Sequence, residues 1–156
     1  MRSPAAAHRY RRESLWSTGR KAARAFACGA VISPALGGII VGQEVARSLG
    51  KRHIFVEKEA GSLVLRRGFK IEKGEHFIVA EDVVTRGGRV QETIDIVRAH
   101  GAIVQAVGVI VDRSGPSKPA FGCPFISLIE MNMETFPADK LPPDLIRIPA
   151  EKPGSK

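Results

Sequence analysis

The chain has 156 residues, of which 44% are hydrophobic and 26% are charged, and its formal net charge is +8. This length and composition predict one soluble globular domain with its own core, and they exclude a disordered or fibrous protein. Two cysteines are too few for a disulfide framework or a cysteine-based zinc site, so we expect a reducing cytoplasm. No apolar stretch reaches the length of a transmembrane helix, and no membrane association is expected.

The positive charge is concentrated at the start of the chain. Residues 1–29 are basic and contain a single acid, Glu13. The composition of roughly the first 26 residues resembles an organellar transit peptide or a basic arm, within which Leu15–Phe26 could form a helix. Because the chain has only one Trp and one Tyr, it offers no stacking platform for bases, and nucleic acid is not an expected partner.

The first predicted unit is a strand, a turn and a helix. Ala30–Ile32 reads as a short buried strand, Ser33–Gly38 as a turn, and Ile39–Leu49 as a helix that Gly50 ends. The helix carries a stripe of small residues, which would let it pack closely onto a sheet: Gly38, Gly42 and Ala46. The Gly-Gly turn is a candidate anion site, and the alternative is a tight connection with packing glycines.

The second predicted unit is a hairpin. His53–Glu57 reads as a strand, residues 58–62 as a polar turn, and the alternation from Leu63 to Ile71 as the returning strand with one exposed face. Its cations are Lys58, Arg66 and Arg67. They are candidates for binding a small polyanion, and the alternative is an ordinary solvated hairpin face.

The central stretch is the most informative. Phe77–Ala80 is an uninterrupted apolar run, typical of a strand buried on both faces. Glu81 and Asp82 follow at its carboxyl end, then a Thr-x-Gly-Gly turn at residues 85–88. Apolar residues then recur at helical spacing until Gly101, where the helix should stop: Val90, Ile94 and Val97.

Each part of this stretch has a chemical use. Glycines let the backbone approach a ligand, and the N–H groups that open a helix attract an anion such as phosphate. Two adjacent carboxylates suit a diol or a hydrated Mg²⁺. Together these features describe a site for a ribose phosphate. The alternative is a plain strand–turn–helix crossover with surface acids.

The next strand, Ile103–Val111, ends in Asp112-Arg113-Ser114-Gly115. Ligands of doubly wound sheets bind at the carboxyl ends of strands, so Arg113 should emerge beside the Thr85 turn. A guanidinium there could bind a carboxylate through two hydrogen bonds, or could pair structurally with Asp112 or Glu81. After a Pro- and Gly-rich loop, Phe125–Met131 should form a last strand with Leu128 and Ile129 inward on opposite faces.

Glu-Asp-Val-Val-Thr-x-Gly-Gly, residues 81–88, resembles the phosphoribosyl pyrophosphate (PRPP) motif of the type I phosphoribosyltransferases. With Val111–Gly115, the chain from about residue 30 is similar to the orotate phosphoribosyltransferase family. That family more often has Thr and Ser where this chain has Arg86 and Arg89, and a longer N-terminal part. The resemblance implies an α/β fold of the type I phosphoribosyltransferase kind. Its central, mainly parallel sheet is flanked by helices and carries a β-hairpin hood, in a domain spanning residues 30–156.

The resemblance also implies an activity and a site. The activity is transfer of the 5-phosphoribosyl group from PRPP to orotate in pyrimidine biosynthesis, by a cytoplasmic homodimer in which each hood reaches the partner's site. Glu81 and Asp82 would be catalytic. The PRPP-binding residues would be Glu81, Asp82, Val83, Val84, Thr85, Arg86, Gly87, Gly88 and Arg89. Orotate would contact Thr85 and Arg113. Pyrophosphate would be received by Ala35, Leu36, Gly37, Gly38, Lys58, Arg66 and Arg67. Mg²⁺ would be held mainly by substrate and water, with no direct protein ligand.

Two other functions are compatible with the sequence. The chain could be a phosphoribosyltransferase-fold protein that binds PRPP or a nucleotide without catalysis. It could also be a purine phosphoribosyltransferase, although Arg113 disfavours this because purine bases have no carboxylate.

Overall fold

The computed structural model describes residues 28–134, 136–137 and 139–149; the helix predicted at Leu15–Phe26 lies outside them. The described residues form one six-stranded sheet and two helices. The strands are β1 (Ala30–Pro34), β2 (Arg52–Glu59), β3 (Ser62–Leu65), β4 (His76–Val84), β5 (Ile103–Asp112) and β6 (Phe125–Glu130). The helices are α1 (Gly37–Leu49) and α2 (Gly88–Ala99).

The sheet has the order β3-β2-β1-β4-β5-β6. All neighbouring strands are parallel except β2 and β3, which form an antiparallel hairpin. The predicted α/β fold with a mainly parallel sheet and a hairpin is confirmed. Parallel order brings the carboxyl ends of β1, β4 and β5 to one edge, where the chain makes its turns into α1, α2 and the loop after Arg113.

One face of the sheet carries the main core. The apolar stripe of α2 packs there with all three of its members fully buried: Val90, Ile94 and Val97. They meet buried side chains from four strands, among them Ile32, Ile54, Phe77, Val79 and Val107. Burial of this many large side chains supplies most of the hydrophobic stabilisation of the fold.

The opposite face, under α1, is thin. The buried apolar cluster there consists of Val31, Ala46 and Ala80, bordered by half-buried side chains such as Val41 and Val45. The small-residue stripe of α1 is buried as predicted, at Gly38, Gly42 and Ala46. Small residues bring the helix backbone close to the sheet, so polar groups on β1, β2 and β4 come within contact distance of it.

The observed elements are longer than predicted in some places and shorter in others. β4 continues through the acid pair to Val84, so Glu81 and Asp82 are strand residues near its end. α1 ends at Leu49 with Gly50 in the left-handed conformation, as expected. The hairpin turn is only Ala60-Gly61, and both residues have positive φ, which suits a two-residue hairpin loop.

Two local expectations were wrong. The returning strand ends at Leu65 and not at Ile71, because Arg67 and Gly68 both have positive φ and turn the chain. Ile129 is 51% exposed and does not face inward, because β6 is the edge strand and neither described helix covers that position.

Both cysteines, Cys28 and Cys123, are free and half-buried. Burial raises the pKa of each thiol. Within the described part of the chain, no helix is long and apolar enough to cross a membrane.

Candidate active site

The acid pair lies at the carboxyl end of β4. The Glu81 side chain is buried, with the residue 5% exposed, while Asp82 is half-buried. The N–H of Asp82 donates to Oε1 of Glu81 at 3.0 Å, and the N–H of Val83 donates to Oδ1 of Asp82 at 2.8 Å. These hydrogen bonds to the backbone hold both carboxyl groups at the edge where the parallel strands end.

The Gly-Gly turn at the end of β1 lies directly against this pair. A methyl group on Gly37 would overlap the Asp82 carboxylate, and one on Gly38 would lie 2.9 Å from Oε1 of Glu81. The turn contains a cis peptide between Ala35 and Leu36, and the Leu36 side chain is 81% exposed. The structure therefore brings together two sets of predicted site residues, those at 35–38 and those at 81–82.

Burial changes the acidity of one of the two carboxyl groups. Loss of solvent, followed by the hydrogen bond with the neighbouring Asp82 carboxyl, raises the pKa of Glu81 to about 8. The charge of Arg89 opposes this shift. At neutral pH the ligand-free pair is therefore a mostly protonated Glu81 beside Asp82, able to donate one hydrogen bond and to accept several.

The predicted phosphate turn is open at the start of α2. Thr85, Arg86 and Arg89 are exposed, and Gly87 has φ 78° at the N-cap position. Within the described residues no side chain caps this helix, and neither arginine makes an ion pair. The first N–H groups of α2 therefore lie beside two guanidinium groups, a setting that favours an anion.

The two valines of the motif differ. Val83 is 40% exposed, whereas Val84 is 2% exposed and belongs to the main core. Any contact of Val84 with a ligand would therefore come from its backbone.

Gly87 must be glycine for a second reason besides its positive φ. A methyl group there would lie 2.9 Å from the ring of Phe121 and 3.0 Å from Cβ of Pro119. Phe121 is buried, and its carbonyl accepts a hydrogen bond from Arg98 of α2 at 3.1 Å. The loop after β5 is thus packed against the phosphate turn, a contact that sequence reasoning missed.

Arg113 emerges beside the Thr85 turn, as expected. Its backbone N–H donates to the carbonyl of Val84 at 2.7 Å, which places it next to Thr85. The side chain is exposed, and among the described residues it pairs with neither Asp112 nor Glu81. The alternative of a structural ion pair is therefore not found, and the guanidinium is available to a ligand.

Asp112 holds the turn that carries Arg113. Its Oδ1 accepts hydrogen bonds from the N–H and the hydroxyl of Ser114, at 2.8 and 2.6 Å. Burial raises the pKa of Asp112, but the Ser114 hydrogen bonds outweigh it and the net shift is downward. Lys118 Nζ lies 3.6 Å from Oδ2. The Asp-x-Ser spacing is a known turn signal that could have predicted this role.

The hood cations lie apart from the acid pair. β1 separates β4 from the hairpin in the sheet order. Arg66 contacts Glu59 at 2.9 Å, and Arg67 contacts Glu57 at 2.9 Å. Lys58 is exposed on the same hairpin. Their role in binding pyrophosphate stays a prediction. To bind it, the two arginines would have to leave their ion pairs with glutamate.

The two carboxyl groups of the acid pair fit a Mg²⁺ ion that the protein binds only weakly. Among the described residues no group of three or more His, Cys, Asp and Glu side chains could enclose a metal ion. Two carboxyl groups at one place suit an ion that keeps most of its water and takes further oxygens from a phosphorylated substrate, as Mg²⁺ does.

Solved structures resemble this fold. Adenine phosphoribosyltransferase from Thermoanaerobacter pseudethanolicus matches with a TM-score of 0.68 at 20% identity over 82% of each chain. Orotate phosphoribosyltransferase from Aeropyrum pernix matches with a TM-score of 0.63 at 24% identity, over 81% of this chain and 73% of that one. The fold is that of the type I phosphoribosyltransferases, and the acid pair and glycine turns lie at the edge where its parallel strands end.

Sequence relatives narrow the family. Orotate phosphoribosyltransferase from Sphingopyxis alaskensis is 48% identical over 126 residues, covering 81% of this chain and 64% of the relative. The corresponding protein from Thermotoga maritima is 47% identical, with coverage of 81% and 67%. The chain belongs to the orotate phosphoribosyltransferase family and spans about two thirds of the length of these relatives. No protein-family model matches it.

Proposed function

We propose that the chain carries the active site of an orotate phosphoribosyltransferase, which transfers the 5-phosphoribosyl group of PRPP to N1 of orotate. The observation that supports this most directly is the contact of Glu81 and Asp82 with the Gly37-Gly38 turn. It joins a group suited to sugar hydroxyls to a turn suited to an anion. The identity to orotate phosphoribosyltransferases, 47–49% over 126 residues, favours orotate as the acceptor.

The reaction depends on charge. The bond between C1 of the ribose and the pyrophosphate oxygen breaks, the bond from C1 to N1 of orotate forms, and the sugar carbon becomes cation-like between the two. No side-chain nucleophile is required. The protein has to orient the two substrates and to stabilise charges that develop on the sugar and the leaving group.

The residues divide this work by position. Backbone N–H groups at residues 85–89 would hold the 5′-phosphate, helped by the exposed cations Arg86 and Arg89. Asp82 and Glu81 would bind the ribose hydroxyls, and the Asp82 charge would stabilise the cation-like sugar. Because burial raises the pKa of Glu81, its carboxyl group adds less repulsion at neutral pH to an incoming polyanion than an ordinary carboxylate would.

Glu81 and Asp82 would also hold Mg²⁺ through water and sugar hydroxyls. When bound, the ion neutralises pyrophosphate charge and so assists its departure. The Ala35–Gly38 turn would receive that pyrophosphate, with Lys58, Arg66 and Arg67 closing over it.

Thr85 and Arg113 would contact orotate. The guanidinium group of Arg113 is exposed next to Thr85 and can donate two parallel hydrogen bonds to the orotate carboxylate. We also propose a cytoplasmic homodimer, in which the hood of one protomer serves the site of its partner. Sedimentation of the purified protein would test the dimer.

An absorbance assay tests the activity. The protein, PRPP and Mg²⁺ are mixed with orotate, and with adenine or hypoxanthine in parallel reactions. PRPP-dependent loss of orotate is the expected result. Turnover of a purine instead would identify a purine phosphoribosyltransferase. Calorimetric binding of PRPP without any turnover would identify a binding protein, and neither binding nor turnover would overturn the proposal.

A further inference from the structure

A buried polar pair lies beneath the start of α1. Ser33 on β1 is fully buried, and its Oγ lies 2.7 Å from Nε2 of His53 on the neighbouring strand β2. His53 is half-buried. The hydroxyl and the imidazole form a hydrogen bond on the side of the sheet that has little apolar core.

The helix α1 rests directly on this pair. A methyl group on Gly42 would overlap the His53 ring and lie 2.8 Å from Oγ of Ser33. A methyl group on Gly38 would lie 3.2 Å from Cβ of Ser33 on one side and 2.9 Å from Oε1 of Glu81 on the other. The first two turns of α1 therefore contact the polar pair and the acid pair at once.

Other contacts at this end of the helix come from β2 and β4: the Ala35 N–H donates to the Val56 carbonyl at 2.7 Å, and the Gly37-Gly38 pair lies against Glu81 and Asp82. Within the described chain no side chain caps α1, and its first turn has no acidic residue. Leu36 and Ile40, which flank the turn, are 81% and 74% exposed. The fully buried apolar residue of α1 is Ala46, two turns further along. Ser33 and His53 are thus the side chains of β1 and β2 against which the start of α1 packs, at Gly38 and Gly42.

We propose that Ser33 and His53 are positioning residues for the Ala35–Gly38 turn, holding its backbone where it receives the pyrophosphate of the sugar donor. The inference rests on the proposed function. Neither side chain has to touch the ligand. Their effect is indirect, since backbone N–H groups stabilise an anion only when placed within a fraction of an ångström.

A purely structural role makes a different prediction. If the pair only stabilised the fold, its removal would lower the melting temperature and leave substrate constants unchanged. A positioning role weakens the binding of pyrophosphate and PRPP selectively. It spares the binding of orotate, whose predicted contacts, Thr85 and Arg113, directly follow β4 and β5.

The test compares three variants: Ser33→Ala, His53→Leu and His53→Gln. The glutamine amide can keep a hydrogen bond to Ser33, whereas leucine cannot. Matched controls are Ser48→Ala, which removes a hydroxyl bonded to the Val45 carbonyl at the far end of α1, and His100→Leu, which removes a ring bonded to the Ile96 carbonyl at the end of α2. Each protein is titrated calorimetrically with pyrophosphate and Mg²⁺, and its KM values for PRPP and orotate are measured.

We expect Ser33→Ala and His53→Leu to raise the Kd for pyrophosphate and the KM for PRPP about 5- to 20-fold, with the KM for orotate within about twofold of wild type. His53→Gln should recover most of the loss, and both controls should match wild type. If Ser33→Ala does not fold, the contrast of His53→Gln with His53→Leu decides.

Two results would overturn this inference but not the proposed function. The variants could bind pyrophosphate as tightly as wild type does, or they could lose affinity for pyrophosphate and orotate equally. Wild-type protein that binds neither pyrophosphate nor PRPP would overturn the proposed function with it. That failure is visible in the wild-type titration, so the two outcomes are distinguishable.

Discussion

The two faces of the sheet are built for different purposes. Under α2, a large cluster of branched and aromatic side chains is buried, and it includes Ile32, Phe77 and Ile94. Under α1, the buried apolar cluster is only Val31, Ala46 and Ala80, and glycines bring the helix against Ser33, His53 and Glu81. Both faces belong to the same strands, yet only one is packed chiefly by hydrophobic burial.

The difference in apolar burial between the two faces shows where the protein is packed less tightly. A face rich in apolar contacts resists change and holds the fold together. The face with little apolar core brings polar groups close to a helix backbone, which stabilises less but places carboxyl groups and N–H groups around a ligand. We therefore expect substitutions on the α2 face to change stability, and substitutions on the α1 face to change activity.

The largest effect is expected for Asp82→Asn. The amide keeps the shape of the carboxylate but removes the charge that faces the sugar, so kcat/KM should fall about 10²- to 10⁴-fold with little loss of stability. The assay of orotate consumption measures the rate, and thermal unfolding checks the fold. Asp95→Asn on the exposed side of α2 is the matched control and should keep full activity. Full activity of Asp82→Asn would contradict its role.

A pair of isoleucines compares the buried stripe of α2 with the exposed side of α1. Ile94→Ala on α2 removes a fully buried side chain and should lower the free energy of unfolding by about 2–5 kcal/mol. Ile40→Ala on α1, where the side chain is 74% exposed, should change it by no more than about 0.5 kcal/mol. Urea unfolding measures both. Equal losses would contradict the assignment of the main core to the α2 face.

Glu81→Gln should stabilise the protein in a pH-dependent way. The pKa of Glu81 is about 8 in the folded protein against 4.5 ordinarily, so the folded state binds the extra proton between these values. Wild-type stability therefore falls as the pH rises from 4.5 to 8, and glutamine removes this loss. We expect an advantage of about 1–3 kcal/mol at pH 8 that disappears near pH 4.

Urea unfolding of wild type and Glu81→Gln at pH 4, 6 and 8 measures this effect. Glu134→Gln, at an exposed position, serves as the control and should stay within about 0.5 kcal/mol of wild type at each pH. An advantage of Glu81→Gln that did not grow with pH would show that the buried carboxyl is not the cause.

A small effect on stability is expected outside both faces, at Arg66→Gln on the hairpin. Arg66 is half exposed in its contact with Glu59, and exposed ion pairs contribute little, so unfolding should change by less than about 1 kcal/mol. The same variant should raise the KM for PRPP if the hood closes over pyrophosphate. An unchanged KM would remove Arg66 from the predicted site.

The parts of the fold that follow from local patterns could be predicted from the sequence. Uninterrupted apolar runs gave β4 and β5, and helical spacing gave α2, because these signals depend on burial over many residues. The acid pair, the glycine turns and Arg113 could be placed at one edge, because parallel strands end there together.

Contacts between distant segments could not be predicted in this way. Ser33 and His53 are unremarkable in the sequence, and their hydrogen bond exists only because β1 and β2 are neighbours. The ion pairs of Arg66 and Arg67 with the glutamates of β2 depend on the hairpin register. The exposure of Ile129 depends on what covers an edge strand, which no local pattern encodes.

The contact of Phe121 with Gly87 has a consequence for how substrates enter. It joins the loop after β5 to the start of α2. The hydrogen bond from Arg98 to the Phe121 carbonyl is a second contact between the same loop and helix. The turn proposed for the sugar phosphate and the loop that follows Arg113 should consequently move as one unit. Any movement that admits or releases substrates would then fall to the exposed tip of the hairpin, residues 59–62, because Val56 and Leu63 of the same hairpin are buried in the main core.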